Sequence, residues 1–191
     1  MQARCVPTLR SAKLTVAIRS GFAMQTVRIL GLDPGLGRMG WGVIDVSGSK
    51  LVHVAHGVIV TRAADGLGLR LLKLHDEVSR IIAEHQPGAI AVEQAFVARD
   101  PSAALKLGHA RAIALLAAAQ AGLEIAEYAP NHIKKSVVGA GHADKVQIQA
   151  MVKRLLPGCG VEVGDAADAL AAAIAHAHLA ATRARIVAAL A

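Results

Sequence analysis

Four acidic residues stand at positions where a carboxylate is costly unless it has a partner: Asp33, Glu93, Asp165 and Asp168. The first two directly follow continuous apolar segments, and burying an unpaired carboxylate costs roughly several kcal/mol. The last two lie three residues apart in an alanine-rich segment, so a helix would place them on one face. A pocket shared by all four would be strongly repulsive unless cations neutralised it.

The chemistry that such a pocket could support is phosphodiester hydrolysis. Ligand sets made only of oxygen select hard divalent ions, Mg²⁺ with Mn²⁺ as a substitute. Two such ions about 3.5–4 Å apart are used for in-line displacement, where one generates hydroxide and the other stabilises the leaving oxygen. The sequence therefore predicts metal-dependent hydrolysis without a serine, cysteine or histidine nucleophile.

Each acid also has an ordinary structural explanation. Asp33 precedes Pro34-Gly35 and could simply begin a turn, and Glu93 could be an exposed acid at a strand end. Asp165 could cap a helix or favour the helix dipole. Asp168 is the hardest to explain this way, because alanine and leucine surround it. Singly, the acids leave both interpretations open.

The elements that must position these acids follow an α/β pattern. Three β-type segments joined by short turns predict an antiparallel meander, and the later segments alternate between strand and helix. We expect a five-stranded mixed sheet with helices on both faces. If the first strand neighbours the fourth, Asp33 and Glu93 lie side by side, and the last helix can bring Asp165 and Asp168 above them. The predicted strands are Val27–Leu32, Gly40–Val46, Leu51–Thr61, Ala89–Val92 and Glu124–Tyr128, and the predicted helices are Leu67–His85, Ser102–Ala121, Asn131–Val137, Asp144–Leu156 and Asp165–Ala184.

Length and composition indicate one domain over residues 24–191. Residues 1–23 contain four basic residues and no acid, and we expect a leader or upstream extension there, with organellar targeting as the minor alternative. The net charge is +7, but this segment carries much of it, so charge permits a polyanionic partner without demonstrating one. Two cysteines cannot form a disulfide framework, and the apolar segments fall short of the roughly 20 residues that span a bilayer. A cytoplasmic location is the expectation.

Five motifs together resemble the RuvC family of Holliday-junction resolvases. The three acidic ones are Ile29–Gly35, Ile90–Phe96 and Asp165–Leu170, and the other two are Ser102–Gly108 and Val137–Gly141. The likeness extends from about Val27 to His178, with the motifs in the family's order.

The resemblance implies an RNase H-like fold and a homodimer that makes paired symmetric nicks in four-way junction DNA, in recombination and repair. It implies metal ligation by the four acids, with DNA contacts from Lys134 and Lys145 and stacking by Phe96. Branch-migration proteins of the RuvA and RuvB type are the implied partners. We expect the helix from Ser102, whose face of small residues suits close packing, to form the dimer contact.

Three other functions fit parts of the sequence. An ATPase or sugar-kinase-like domain also begins with an aspartate and a glycine turn, but it needs a second phosphate loop and a second domain. A junction-binding protein without chemistry would not need all four acids. An RNase H-like nuclease acting on RNA is the third, and Phe96 with the Ser102–Gly108 motif favours the resolvase. We interpret His176 and His178 as structural, and His142 as a surface histidine, with a phosphate contact as its alternative.

Overall fold

The computed structural model describes residues 25–94, 100–162 and 164–190, with the side chains of the last helix through residue 183. The predicted leader and Phe96 lie outside these ranges. The described elements are β1 Val27–Asp33, β2 Arg38–Ser47, β3 Lys50–Val60, α1 Leu67–His85, β4 Ala89–Glu93, α2 Pro101–Gln120, β5 Glu124–Tyr128, α3 Pro130–Val138, α4 Lys145–Leu155 and α5 Gly164–Leu190.

The five strands form one mixed sheet in the order β3-β2-β1-β4-β5. The first three strands are antiparallel neighbours, which confirms the predicted meander. Strand β4 is parallel to both β1 and β5. The predicted mixed sheet is therefore confirmed, and β1 is the neighbour of β4, as the placement of Asp33 beside Glu93 requires.

Side chains alternate between the two faces of the sheet, and each face has its own core. Ile29 and Ala91 belong to the cluster formed with α3, α4 and α5. Leu30, Leu32 and Ile90 belong to the opposite cluster, formed with α1 and α2. The predicted helices on both faces are thus confirmed, and the face that a strand residue joins follows from its position in the alternation.

Glycines bring α5 unusually close to β1 and β2. A Cβ atom added at Gly31 would lie 2.0 Å from the carbonyl oxygen of Ala169, and one at Gly42 would lie 2.6 Å from the side chain of Leu170. At Gly31, a side chain would therefore require the backbone of α5 to move. The helix therefore lies directly on the backbone of the sheet.

Two predicted helix boundaries were wrong. Helix α3 begins at Pro130 after Ala129, not after a capping Asn131, because proline suits the first helical position, where no backbone donor is needed. Helix α5 continues to Leu190, past the predicted end at Ala184. The predicted cap at Asp144 is confirmed, since its side chain accepts from the backbone of Gln147. None of the described helices has the length and apolar character to cross a membrane.

Candidate active site

The sheet places Asp33 and Glu93 at the same end and on the same face. Leu32 and Val92 are partners in the parallel β1–β4 register, and each acid is the next residue of its strand. Neighbouring strands lie roughly 4.8 Å apart, so the two carboxylates emerge side by side. Because side chains alternate along a strand, Asp33 and Glu93 point to the same face as Ile29 and Ala91, which is the face covered by α5.

Helix α5 begins directly above this end of the sheet. Gly40 is the register partner of Asp33 in β2, and a Cβ atom added there would lie 1.9 Å from the carbonyl oxygen of Asp165. The first turn of α5 therefore contacts the backbone beside Asp33. Because Asp168 follows Asp165 by three residues, both side chains share one helix face. The structure thus brings together all four acids that the sequence singles out.

The carboxyl groups of the pocket are buried and lie within range of one another's charge. Burial, reinforced by the charges of Glu93, Asp168 and Asp165, raises the pKa of Asp33 to about 8. Burial and the charge of Asp168 raise the pKa of Glu93 to about 7. Carboxyl groups with such values bind protons near neutral pH, so the pocket has a strong demand for positive charge.

Two lysines predicted as DNA contacts lie at this pocket. Lys145 Nζ is 3.7 Å from Asp168 Oδ2, although 79% of the lysine side chain is exposed. Lys134, on α3, lowers the pKa of Glu93 and of Asp168 by its charge. Burial acts more strongly than either lysine, and the pKa of Asp168 is raised. The lysines therefore offset only part of the negative charge.

Arg38 is a member of the site that sequence reasoning missed. Its Nε donates to Asp165 Oδ2 at 2.6 Å, from the first residue of β2. About half of the Arg38 side chain is exposed, as is 29% of Asp165. The sequence places Arg38 five residues after Asp33, but an arginine at a strand start is also typical of an ordinary surface.

The donor set fits a hard divalent cation, although the side chains do not already surround one. Across residues 25–94, 100–162 and 164–183, no group of three or more His, Cys, Asp or Glu side chains is arranged to hold a metal ion. Arg38 and Lys145 lie instead against two of the acids. The four acids contribute only oxygen ligands and repel one another, which is the chemistry that suits Mg²⁺ or Mn²⁺.

The remaining residues singled out from the sequence lie elsewhere. His142 is exposed. His176 Nδ1 is 2.9 Å from the hydroxyl of Tyr128, and His178 Nδ1 donates to the carbonyl of Ser136 at 3.1 Å. Both hydrogen bonds join α5 to the scaffold, in agreement with a structural role. Phe96 lies outside the described residues, and its role stays a prediction.

The strand order, the helices on both faces and the acidic pocket define an RNase H-like protein with a carboxylate site at the ends of its first and fourth strands. The family model described as "Crossover junction endodeoxyribonuclease RuvC" matches residues 29–176. The chain belongs to the RuvC family.

Relatives and solved structures agree with this membership. The chain is 62% identical over 161 residues to a crossover junction endodeoxyribonuclease RuvC of Parvibaculum lavamentivorans, covering 84% of this chain and 92% of the relative. A RuvC from Cereibacter sphaeroides is 56% identical over 165 residues, covering 86% and 98%. Among solved structures, Thermus thermophilus RuvC in complex with a Holliday junction substrate has a TM-score of 0.75 at 31% identity, covering 82% and 96%.

Proposed function

We propose that this chain is a metal-dependent endonuclease that resolves four-way DNA junctions by paired symmetric nicks, in homologous recombination and DNA repair. This proposal rests on one observation, that four acids lie together at one end of the sheet. They are Asp33, Glu93, Asp165 and Asp168. Family membership supports the substrate, since relatives are named crossover junction endodeoxyribonucleases and a solved relative is described with a Holliday junction.

The proposed cofactor is Mg²⁺, with Mn²⁺ as a substitute and two ions in each site. Asp33, Glu93, Asp165 and Asp168 would hold them. When bound, such ions supply Lewis-acid activation of the attacking water and charge stabilisation at the leaving oxygen. The chain's own part is to present the four carboxylates together, and Asp165 Oδ2 would have to be released by Arg38 or shared with it.

Basic and aromatic groups near the pocket would bind the DNA. We assign Lys134 and Lys145 to backbone phosphates, because both lie beside the acids and Lys145 is largely exposed. Affinity for the junction should then fall steeply with salt. Phe96, three residues after Glu93, would stack on bases at the junction, which is worth roughly 1–3 kcal/mol per base.

Paired nicks in two strands of like polarity require two sites related by two-fold symmetry. The exposed side of α2 supports a homodimer through this helix, because an apolar stripe there includes Leu105 and Leu116, with 65% and 48% of their surface exposed. The residues of the stripe are three or four apart, and they are Leu105, Gly108, Ala112 and Leu116. The proposed setting is cytoplasmic, with partners of the RuvA and RuvB type.

A charge in the stripe should separate the dimer. We expect Leu116→Glu to sediment as a monomer in analytical ultracentrifugation, and to bind junction DNA without making paired nicks. Val52→Glu is the matched control, because 45% of Val52 is exposed on β3, at the edge of the sheet opposite to the strands that α2 covers. A Leu116→Glu protein that remains dimeric would remove α2 from the proposed interface.

The decisive experiment for the activity is cleavage of a synthetic four-way junction with Mg²⁺ or with EDTA. We expect paired nicks with Mg²⁺ and none with EDTA. Asp33→Asn should bind the junction and lower the cleavage rate by at least about 100-fold, because one ligand and its charge are lost. Asp76→Asn is the matched control, since Asp76 is an exposed acid of α1.

The same experiment includes the substrates of the alternative functions, so that each alternative can be tested beside the junction. A linear duplex and an RNA–DNA hybrid of the same sequence should be cut far more slowly than the junction. Preferential cutting of the hybrid would replace the proposed substrate, and phosphate release from ATP would favour the kinase-like alternative. Junction cutting that persists in EDTA and in Asp33→Asn would contradict the proposed chemistry.

A further inference from the structure

A hydrogen-bonded pair behind the active site fixes the turn between β1 and β2. This turn, residues 34–37, begins directly after Asp33 and ends directly before Arg38. Its position therefore affects both a proposed metal ligand and the arginine that holds Asp165. What fixes the turn is a question separate from what the acids do.

Thr61, the residue after β3, anchors the turn at two points. Its backbone N–H donates to the carbonyl of Gly37 at 3.0 Å, and its hydroxyl donates to the carbonyl of Leu36 at 2.6 Å. Only 6% of Thr61 is exposed, and it is the one buried polar residue in the part of the chain that the structure describes. Valine has nearly the same shape and would avoid burying a hydroxyl, so packing alone does not account for threonine here.

Arg70 completes the arrangement from α1. Its Nε donates to the hydroxyl oxygen of Thr61 at 2.9 Å. Because the oxygen accepts from Arg70, its hydrogen is directed toward Leu36, and both ends of the hydroxyl are satisfied. The guanidinium also lies over the turn, since a Cβ atom added at Gly37 would lie 3.8 Å from one of its terminal nitrogens. A chain of hydrogen bonds thus runs from α1 through Thr61 to the turn beside Asp33.

We propose that Thr61 and Arg70 are positioning residues for the acidic pocket, which hold the turn so that Asp33 and Arg38 face the first turn of α5. This inference rests on the proposed metal-dependent function. Neither residue contacts the acids directly. Groups that orient metal ligands in this way typically change metal affinity or activity by about 10–100-fold when they are lost.

The experiment compares Thr61→Val, Thr61→Ser and Arg70→Gln with wild type. Calorimetric titration of the metal-free protein with Ca²⁺ should show about 10–100-fold weaker binding in Thr61→Val and Arg70→Gln. Thr61→Ser keeps the hydroxyl and should bind Ca²⁺ nearly as wild type does. Arg80→Gln is the matched control, since Arg80 is an exposed arginine of the same helix, paired with Glu77 and Glu84.

Cleavage and junction binding separate positioning from loss of fold. Single-turnover cleavage by Thr61→Val and Arg70→Gln should need more Mg²⁺ to reach half its maximal rate, whereas their junction affinity in EDTA should equal that of wild type. A purely structural defect would reduce the folded fraction without changing the Mg²⁺ requirement of the folded molecules. Circular dichroism at the assay temperature measures that fraction.

The outcomes distinguish this inference from the proposed function. If wild type cuts no junction, the proposed function fails, whereas weaker Ca²⁺ binding in Thr61→Val and Arg70→Gln would still support the positioning role. If wild type cuts and both variants bind Ca²⁺ and cut as Arg80→Gln does, the positioning role is overturned. Failure of Thr61→Ser to restore Ca²⁺ binding would also overturn it.

Discussion

The two faces of the sheet are packed by different means. On the face that carries the acids, the backbone of α5 contacts the backbone of β1 and β2 at Gly31 and Gly40, and side chains such as Ile44 and Leu170 fill the space around these contacts. On the opposite face, α1 packs through large side chains such as Leu74, Val78 and Ile81. Long side chains can adjust their rotamers, whereas backbone contact leaves little freedom. The acids are therefore on the face where the helix position is most narrowly determined.

The largest expected effect comes from placing a side chain between α5 and the sheet. Gly40→Ala would put a Cβ atom 1.9 Å from the carbonyl oxygen of Asp165, so the first turn of α5 must move. Since a displacement of about 1 Å can cost about 100-fold in rate, we expect a loss of that size in junction cleavage. Overpacking should also lower the free energy of unfolding by about 1–3 kcal/mol. Single-turnover kinetics and urea denaturation measure the two effects.

The change that matches Gly40→Ala on the opposite face of the sheet is Gly68→Ala in α1. A Cβ atom there would have no neighbour within 4 Å, and alanine favours helix over glycine by up to about 1 kcal/mol. We expect unchanged cleavage and equal or slightly greater stability. Equal losses of cleavage in Gly40→Ala and Gly68→Ala would mean that close approach of α5 does not determine the site.

The same difference between the faces explains what the sequence could predict. The alternation and the short turns predicted the antiparallel meander and the mixed sheet, because short turns leave few arrangements for neighbouring strands. The acids at strand ends predicted the pocket on the condition that β1 and β4 are neighbours, which only the structure establishes. The sequence could not show which glycines contact α5, since Gly31, Gly40 and Gly42 look like turn or strand-weakening residues until the helix is in place. Arg38 and Thr61 depend on contacts with residues distant in sequence.

Charge is the second difference between the faces, and metal-free stability should reveal it. The pKa of Asp33 rises from 3.8 to about 8 on folding, so the folded protein holds a proton that the unfolded chain releases. This contribution to stability is complete below about pH 4 and is lost as the pH rises through about 8. The Asp33→Asn variant has no carboxyl group at this position, so its stability does not fall for this reason as the pH rises. Its stability relative to wild type should therefore increase from pH 5 to pH 9, by at least about 1 kcal/mol, since one pKa unit equals about 1.4 kcal/mol.

Urea denaturation in EDTA at pH 5, 7 and 9 measures this difference. Asp76→Asn again serves as the control, because Asp76 is largely exposed, and its stability relative to wild type should stay nearly constant across the range. If the advantage of Asp33→Asn shrank as the pH rose, neither burial nor the neighbouring acids would be raising the pKa of Asp33 in the folded protein. The comparison would then rest on packing alone.

The smallest expected effect tests whether Arg38 competes with a metal ion for Asp165. The Arg38–Asp165 pair is partly exposed, and such pairs are worth about 0.2–1 kcal/mol. Arg38→Gln removes both the pair and a positive charge beside the pocket, so we expect Ca²⁺ to bind the metal-free protein about two- to fivefold more tightly. Arg62→Gln is the matched control, since Arg62 forms an exposed pair with Asp65 away from the acids. Weaker Ca²⁺ binding in Arg38→Gln would instead mean that Arg38 holds Asp165 in place for the metal. The face of the sheet that carries the acids would then depend on charge pairing as well as on close backbone contact.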